Sequence, residues 1–280
     1  MPYADLTTHR LYYETQGPES GEPLVLIHGL GAQLIAWFPG FVAELEKHDF
    51  RVVLFDNRDI GLSSEFPHDA LYTVDDMAAD VVGLMDHLGL DSAHIAGQSM
   101  GGMIAQQFAI TYPERLRSLC SIYSAPHIGF RRTDDPYVQE VRGRRPAADR
   151  DSAIAHYIEQ ERISGLDGLT EQEILEFATA VYDRSHRPDG QARQQRAIMD
   201  APDRRPGLAG ITVPTVVIHG RDDRLIDFTG GIATAQAVPD SELHVYAGMG
   251  HQIPPHLWSD TAGVIARNAR RRLPDRAVCA

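Results

Sequence analysis

The chain alternates short apolar runs with longer segments in which apolar residues recur at helical spacing. A run that is apolar at every position is typical of a strand buried on both faces of a parallel sheet. These runs, together with a weakly alternating segment that suits an edge strand (11–15), predict strands at 11–15, 24–27, 51–55, 93–98, 116–122, 213–218 and 242–246. Strands that alternate with helices indicate an α/β fold with a mostly parallel sheet flanked by helices.

The segments between these strands carry the signals of helices. The segment 34–47 has helical spacing but is interrupted by Pro39 and Gly40. Thr73 followed by Asp76 is the pattern of a helix cap, and an apolar stripe follows it. Further helices are predicted over 103–112, 230–237 and 256–272.

The alternation stops between residues 126 and 210. This stretch has no convincing strand, and 149–163, 170–183 and 191–200 are predicted as amphipathic helices. We therefore predict an α/β core of residues 1–125 and 211–280 with a helical cap inserted at 126–210. Ligands bind at the carboxyl ends of the strands in an open parallel sheet, and the insertion leaves from that end. It is expected to be a lid over the site.

Composition limits the class of protein. The 280 residues suit one large domain or a core domain with an insertion, and a hydrophobic content of 43% argues against disorder. A formal net charge of −13 gives no electrostatic reason to expect a nucleic-acid partner. No apolar run approaches the length of a membrane span, so no membrane partner is expected.

The N-terminus and the cysteines bear on location. The first residues lack the basic stretch followed by an apolar stretch that marks a signal peptide. Cys120 lies in an apolar run and Cys279 is the penultimate residue, so no disulfide between them is expected. These features favour a cytoplasmic protein and leave its oligomeric state open.

The candidate chemistry centres on Ser99, in the stretch Gly97-Gln98-Ser99-Met100-Gly101. An apolar run precedes the serine and a helix-like segment follows it, so the hydroxyl projects from a tight strand-to-helix turn. Glycines two residues before and after avoid collisions where the two elements pack closely. The alternative is a glycine-rich turn that contains a serine by chance. The rest of the chain must therefore supply a base, an acid and an oxyanion site.

A serine hydroxyl is a poor nucleophile at neutral pH and needs a base. Of the 13 histidines, His251 has the best context, because it lies in a glycine-rich loop between the last predicted strand and the last predicted helix. The base needs a carboxylate to fix its tautomer and to stabilise the imidazolium. The loop after the strand at 213–218 offers Asp222 and Asp223, whereas no acid follows the preceding strand.

Two backbone N–H groups are candidates for an oxyanion hole. That of Met100 comes directly after the serine. That of Leu30 lies in the HGLG loop after the strand at 24–27, where the glycines allow the backbone to turn in closely. His28, in the same loop, is expected to hold the loop by hydrogen bonds rather than to react.

The wall of a substrate pocket is less defined. Gln98, beside the serine, is expected to shape the pocket floor. Trp37 is a second candidate, although an aromatic residue at that spacing is as often part of the core. The predicted chemistry requires no cofactor and no metal, and the expected partner is a small-molecule substrate.

Arginines cluster near the start of the predicted cap. Arg131 and Arg132 form one cluster, and Arg142, Arg144 and Arg145 form another. They are interpreted either as an anion-binding part of the cap or as a solvated helix surface with salt bridges. The surface interpretation is favoured.

Five motifs together resemble those of the α/β-hydrolase superfamily: HGLG (28–31), DNRDIGLSS (56–64), GQSMGG (97–102), HGRDD (219–223) and GMGHQIPP (248–255). Nucleophile, acid and base follow in that order in the superfamily. The resemblance assigns the acid to Asp223, the third residue after the glycine of its loop. It implies the α/β-hydrolase fold with Ser99, Asp223 and His251 as the catalytic residues.

The resemblance also bears on the reaction. DNRDIGLSS and the methionine after the serine are similar to bacterial methylesterases, and the general pattern resembles 3-oxoadipate enol-lactonases. The sequence therefore predicts a serine hydrolase that cleaves a carboxylic ester or a lactone through an acyl-enzyme on Ser99. A ligand-binding, receptor-like relative is an alternative. Carbon–carbon bond hydrolysis or cofactor-free perhydrolysis by the same residues is another.

Overall fold

One sheet forms the centre of the protein. The computed structural model describes residues 2–144, 149–165 and 168–272. Its eight strands are β1 (Tyr3–Asp5), β2 (Arg10–Gln16), β3 (Glu22–Ile27), β4 (Phe50–Phe55), β5 (Ala93–Gln98), β6 (Leu116–Ile122), β7 (Thr215–Gly220) and β8 (Glu242–Tyr246). They lie in the order β1-β2-β4-β3-β5-β6-β7-β8.

The sheet is mostly parallel. Strands β3 to β8 run parallel to one another, whereas β2 runs antiparallel to both β1 and β4. Every residue of β5 and β7 is buried, as expected for central strands that are covered on both faces. The loops that follow the parallel strands lie along one edge of the sheet.

Helices cover both faces of the sheet. In the part of the chain that the structure describes, they are α1 (Pro39–Glu46), α2 (Val74–His87), α3 (Met100–Thr111), α4 (Pro136–Gly143), α5 (Arg150–Ser164), α6 (Glu171–Arg184), α7 (Pro188–Met199), α8 (Arg205–Leu208), α9 (Thr229–Ala237) and α10 (Trp258–Arg270). Short 3₁₀ turns lie at 34–36, 113–115, 128–130 and 255–257.

Alternate residues of β3 contribute to two apolar clusters. Leu24 belongs to a cluster with Phe41 of α1 and Ile265 of α10. Val25 belongs to a cluster with Phe108 of α3, which also includes the buried side of α2. Neighbouring side chains of a strand point to opposite faces, so α1 and α10 cover one face and α2 and α3 the other. This is the predicted α/β architecture.

Two local expectations are wrong. The segment 11–15 does not form an edge strand, because β2 lies between β1 and β4 and the edge is the three-residue β1. Three residues are too few to show a period of two. Pro39 does not interrupt a helix either, since it is the first residue of α1. Proline is tolerated there because the first N–H of a helix has no intrahelical partner.

Five helices, α4 to α8, lie between β6 and β7, where the sequence predicts the insertion; we call them the cap helices. Helices α5, α6 and α7 match the predicted segments to within a few residues. Helices α4 and α8 are not predicted. Asp135 begins α4 by accepting hydrogen bonds from the backbone N–H groups of Tyr137 and Val138.

Two further observations concern the length of the helices and the two cysteines. Among the described residues, no helix combines the length and the apolar character needed to cross a lipid bilayer. Cys120 is buried in β6, and burial raises the pKa of its thiol. Cys279 lies outside the described residues.

Candidate active site

Ser99 occupies a sharp turn between β5 and α3. Its backbone has φ +57°, in the left-handed region that non-glycine residues rarely adopt. The Ser99 N–H donates to the carbonyl of Ile122 at 2.9 Å. The hydroxyl of Ser124 donates to the Ser99 carbonyl at 2.7 Å. These contacts from β6 and the residues after it hold a conformation that costs about 1–3 kcal/mol.

The glycines around Ser99 are required by close backbone contacts. A Cβ on Gly97 would lie 2.0 Å from the carbonyl oxygen of Gly101. A Cβ on Gly101 would lie 2.0 Å from the carbonyl oxygen of Ile27 in β3. Any side chain at either position would force strand and helix apart, so the spacing of the motif has the physical origin that the sequence predicts.

Three side chains from separate loops form a continuous hydrogen-bonded chain. His251 Nε2 lies 2.9 Å from Ser99 Oγ, and His251 Nδ1 lies 2.7 Å from Asp223 Oδ2. With Asp223 ionised, Nδ1–H donates to it, and Nε2 is free to accept the Ser99 proton. The His251 N–H donates to the carbonyl of Ser164 in α5 at 2.7 Å, so a cap helix helps to position this loop.

The structure distinguishes the two candidate acids. Asp223 is 1% exposed, and its Oδ1 accepts the N–H groups of Leu225 and Ile226 at 2.8 and 3.0 Å. Asp222 is exposed and accepts the N–H of Gly248. Only Asp223 contacts His251.

The electrostatics around Asp223 favour its ionised form. Burial alone would raise its pKa, but the charge of His251 and hydrogen bonds from His219 and His251 lower the pKa below its ordinary value. His219 Nε2 lies 3.2 Å from Asp223 Oδ2. An ionised carboxylate at this position stabilises a protonated His251.

Two backbone N–H groups remain available beside Ser99. Met100 and Leu30 both line the cavity, and neither N–H donates to an acceptor among the described residues. Gly29 allows the loop to approach, since a Cβ there would lie 3.1 Å from the Cβ of Ser99. His28 Nδ1 accepts the Gly29 N–H at 2.7 Å, and burial lowers the pKa of His28 to about 3. A neutral His28 therefore holds the loop, as expected.

Ser99 and His251 open into a cavity of about 210 Å³ that we call the Ser99 cavity. Gln98 lies in its wall, as predicted. Trp37 does not line it and is instead 3% exposed in the core. Its ring stacks on Phe41 at a centroid distance of 5.8 Å, so the pocket prediction for Trp37 is wrong. The cap helices complete the wall with side chains that include Arg142, Gln160, Glu161, Gln191 and Ile198.

Comparison with known proteins assigns the family. A family profile described as the α/β hydrolase fold matches residues 22–254. The chain belongs to the α/β-hydrolase fold family. It is 30% identical to a 2-hydroxy-6-oxo-2,4-heptadienoate hydrolase from Pseudomonas putida over 244 residues, which cover 84% of each chain.

Two solved structures resemble this α/β-hydrolase over nearly the whole chain. One is an enol-lactonase from Burkholderia xenovorans (TM-score 0.79, 24% identity, 96% of this chain and 100% of that one). The other is a thermophilic esterase from Thermogutta terrifontis (TM-score 0.71, 27% identity, 94% and 93%). The fold predicted from the sequence is confirmed.

Two buried ion pairs join the cap helices of this α/β-hydrolase to its core. Arg193 of α7 contacts both carboxylate oxygens of Asp59 at 2.8 Å. Arg184, the last residue of α6, contacts Asp56 at 2.8 Å. Both carboxylates are fully buried, and both belong to the DNRDIGLSS segment. That segment therefore anchors the cap.

Two glutamines connect the cap helices to the loop that carries Leu30. The side-chain amide of Gln33 donates to the carbonyls of Val181 and Ser185 at 2.7 and 2.8 Å. The side-chain carbonyl of Gln194 accepts the Gly31 N–H at 2.9 Å. The position of the candidate oxyanion loop thus depends on how the cap docks.

Sequence reasoning missed three polar residues beside the site. The Tyr123 ring lies 4.7 Å from the His251 ring, between centroids. Ser124 holds the Ser99 carbonyl, and His219 supports Asp223. All three lie at or just after the carboxyl end of β6 or β7, so a search of every polar residue there would have found them. Within the described ranges, no group of three or more His, Cys, Asp or Glu side chains is placed to bind a metal ion.

Proposed function

We propose that this α/β-hydrolase is a serine hydrolase that forms an acyl-enzyme on Ser99. The observation that carries the proposal is the continuous chain from Ser99 through His251 to Asp223, with contacts of 2.9 and 2.7 Å. These are hydrogen-bond distances for a nucleophile and its base, with the base oriented by a third group.

The reaction begins when Ser99 Oγ attacks the substrate carbonyl and His251 Nε2 takes its proton. Asp223 holds His251 in the required tautomer and stabilises the imidazolium. His251 then gives the proton to the leaving group, which departs and leaves the acyl-enzyme. Water attacks the acyl group with His251 as base, and the acid is released as Ser99 regains its proton.

The N–H groups of Leu30 and Met100 hold the oxyanion that forms during both attacks. Each is free of other acceptors in the described structure, which supports this role. Loss of one such donor costs about 2.7–4 kcal/mol of transition-state stabilisation in a well-studied serine protease. The donors are backbone groups, so the loop positions supported by Gln194 matter more than the side chains of these two residues.

The proposed substrate is a small carboxylic ester or lactone, with no cofactor, metal, nucleic-acid or membrane partner. The Ser99 cavity of about 210 Å³ suits a small molecule. The similarity to a bacterial esterase at 27% identity supports an ester.

Carbon–carbon bond hydrolysis is the second candidate. It is supported by the relative from Pseudomonas putida, whose substrate, 2-hydroxy-6-oxo-2,4-heptadienoate, contains no ester or lactone. Hydrolysis of that molecule must therefore break a bond between carbon atoms. Ser99, with His251 as its base, would attack a ketone carbonyl instead of an ester carbonyl.

The test compares turnover of p-nitrophenyl butyrate and of 2-hydroxy-6-oxo-dienoates by the wild type, Ser99→Ala and Ser259→Ala. Ser259 is an exposed serine of α10 and serves as the matched control. Ser99→Ala is expected to lower kcat by at least about a thousandfold. A fluorophosphonate should label the wild type and Ser259→Ala but not Ser99→Ala. Equal turnover by Ser99→Ala and the wild type would refute the proposal. Ligand binding without turnover would favour the receptor-like alternative.

A further inference from the structure

The arginines near the start of the cap divide into two groups. Arg132 pairs with Asp134 at 2.6 Å, and Arg144 pairs with Glu140 at 2.9 Å on the protein surface. These fit the surface interpretation that the sequence favours. Arg131 and Arg142 instead line the Ser99 cavity. Arg145 lies outside the described residues.

Arg142 is held against the cavity by its helix. Val138 and Val141 of α4 are fully buried, and they form a cluster with Ile163 of α5 and Leu225 of the Asp223 loop. Arg142 Nη1 is buried and has no hydrogen-bond partner among the described residues. A buried guanidinium nitrogen without an acceptor is unfavourable, and nearly all such groups in folded proteins have partners.

A second arginine adds to the positive charge. Arg131 lines the same cavity, and burial together with the charge of Arg131 lowers the pKa of Arg142. Neither arginine lies within 4.0 Å of a carboxylate of the described chain, whereas Arg132 and Arg144 do. Within the described ranges, the two cations in the cavity wall therefore have no carboxylate in ion-pair contact, and Asp223, whose charge favours the ionised form of Arg142, lies beyond that distance.

Glu161 does not neutralise them. It is the only carboxylate among the described residues that line the cavity, and it is not ion-paired with either arginine. Burial raises the pKa of Glu161 to about 7, so a large fraction of it is protonated at neutral pH.

We propose that Arg142, assisted by Arg131, binds a carboxylate of the substrate, so that the enzyme prefers acyl compounds that carry an anionic end. The inference rests on the proposed function and specifies its substrate class. A guanidinium matches a carboxylate with two parallel hydrogen bonds, which an isolated ammonium cannot reproduce. Arg142 is thus a specificity residue on the cap side of the cavity, and Ser99 carries out the chemistry.

The experiment measures kcat/KM for pairs of anionic and neutral esters. The anionic probes are mono-p-nitrophenyl glutarate, with its carboxylate on the acyl side, and 4-(butyryloxy)benzoate, with its carboxylate on the leaving group. The neutral partners are p-nitrophenyl valerate and phenyl butyrate. Because the esters of each pair differ in intrinsic reactivity, each ratio is divided by the ratio of the uncatalysed hydroxide rates.

The wild type is expected to prefer at least one anionic probe, and Arg142→Gln to reduce that preference by about 10- to 100-fold, as expected for hydrogen bonds to a charged group. Arg142→Lys should retain part of it. The matched control is Arg144→Gln, in which the arginine that follows α4 on the surface is removed; it should keep the wild-type ratio.

The outcomes separate this inference from the proposed function. If Ser99-dependent hydrolysis of the neutral esters is present but the wild type has no anionic preference, the inference is wrong and the function stands. The inference is also wrong if Arg142→Gln and Arg144→Gln give the same ratio. If hydrolysis of both classes persists in Ser99→Ala, the proposed function itself is wrong.

Discussion

Replacing Arg193 by methionine tests the contribution of a buried ion pair between cap and core. Asp59 has no exposed surface, and both of its oxygens accept hydrogen bonds from Arg193 at 2.8 Å. Tyr72 also donates to Asp59 at 2.8 Å. Methionine retains much of the length of arginine but supplies no charge or donor, so the variant leaves a buried carboxylate without its cation.

Removal of one partner from a buried pair costs about 3–5 kcal/mol of the free energy of unfolding. The matched control is Arg196→Met on the same helix, α7. Arg196 lies 3.7 Å from Asp200, and their side chains are 63% and 71% exposed. A pair of that kind contributes no more than about 0.5 kcal/mol. A double variant, Asp59→Asn with Arg193→Met, should lose less stability than the sum of the two single variants.

The loss of stability in Arg193→Met should depend on pH. Burial by itself raises the pKa of Asp59, but hydrogen bonds from Arg193, Phe66 and Tyr72 outweigh it and lower that pKa. In the wild type, Asp59 therefore contributes stability that is present above its unfolded pKa and is lost as the pH falls through its folded pKa. Without Arg193, fewer interactions oppose the rise in the pKa of Asp59 that burial causes. The Asp59 carboxyl of the variant therefore takes up a proton at higher pH than that of the wild type.

Urea unfolding at pH 7 and at pH 5 measures both effects. The difference between the wild type and Arg193→Met should be largest at pH 7 and smaller at pH 5, where the variant carboxyl is more protonated. The reasoning is refuted if Arg193→Met and Arg196→Met have equal stability at pH 7. It is also refuted if the cost of Arg193→Met increases as the pH falls.

Two further substitutions test the site and the cavity. Asp223→Asn should lower kcat for p-nitrophenyl butyrate by about 10⁴-fold, because the histidine loses its tautomer control, whereas the exposed Asp222→Asn should not; comparable losses in both variants would contradict the assignment. For Glu161, the folded pKa of about 7 lies above the ordinary 4.5, so wild-type stability should fall as the pH rises between these values. Glu161→Gln should therefore match the wild type near pH 4.5 and exceed it by about 1–3 kcal/mol at pH 8 in urea unfolding; an equal difference at both pH values would count against this.

Much of the core could be predicted because each signal is local. Strands β6 and β8 have the predicted bounds, since a continuous apolar or alternating run defines a strand without reference to its neighbours. The predicted N-terminal capping residue of α2, Thr73, is confirmed by its reciprocal hydrogen bonds with Asp76. The turn at Ser99 is recognisable because steric contacts of its glycines constrain the sequence over only five residues.

What escaped prediction depends on contacts between residues that are distant in the chain. Asp59 and Arg193 are separated by 134 positions, so no spacing in the sequence indicates that they pair. Residue chemistry alone leaves Asp222 and Asp223 open, and the resemblance selects Asp223; the structure shows the local cause, because backbone N–H groups of Leu225 and Ile226 hold Asp223 inward. Arg142 and Arg144 lie two positions apart in one segment, yet only the packing of α4 sends one to the cavity and the other to solvent.

The contacts of Gln33 and Gln194 have a consequence for engineering. Suppose that the cap helices are exchanged between two enzymes of this family by joining the chains at positions 126 and 210. The exchange would leave Gln33 without the carbonyls of Val181 and Ser185. It would also leave the Gly31 N–H without Gln194. A chimaera that retains turnover must therefore transfer residues 31–33 and 56–59 with the cap, because the functional module is the cap together with its docking loops.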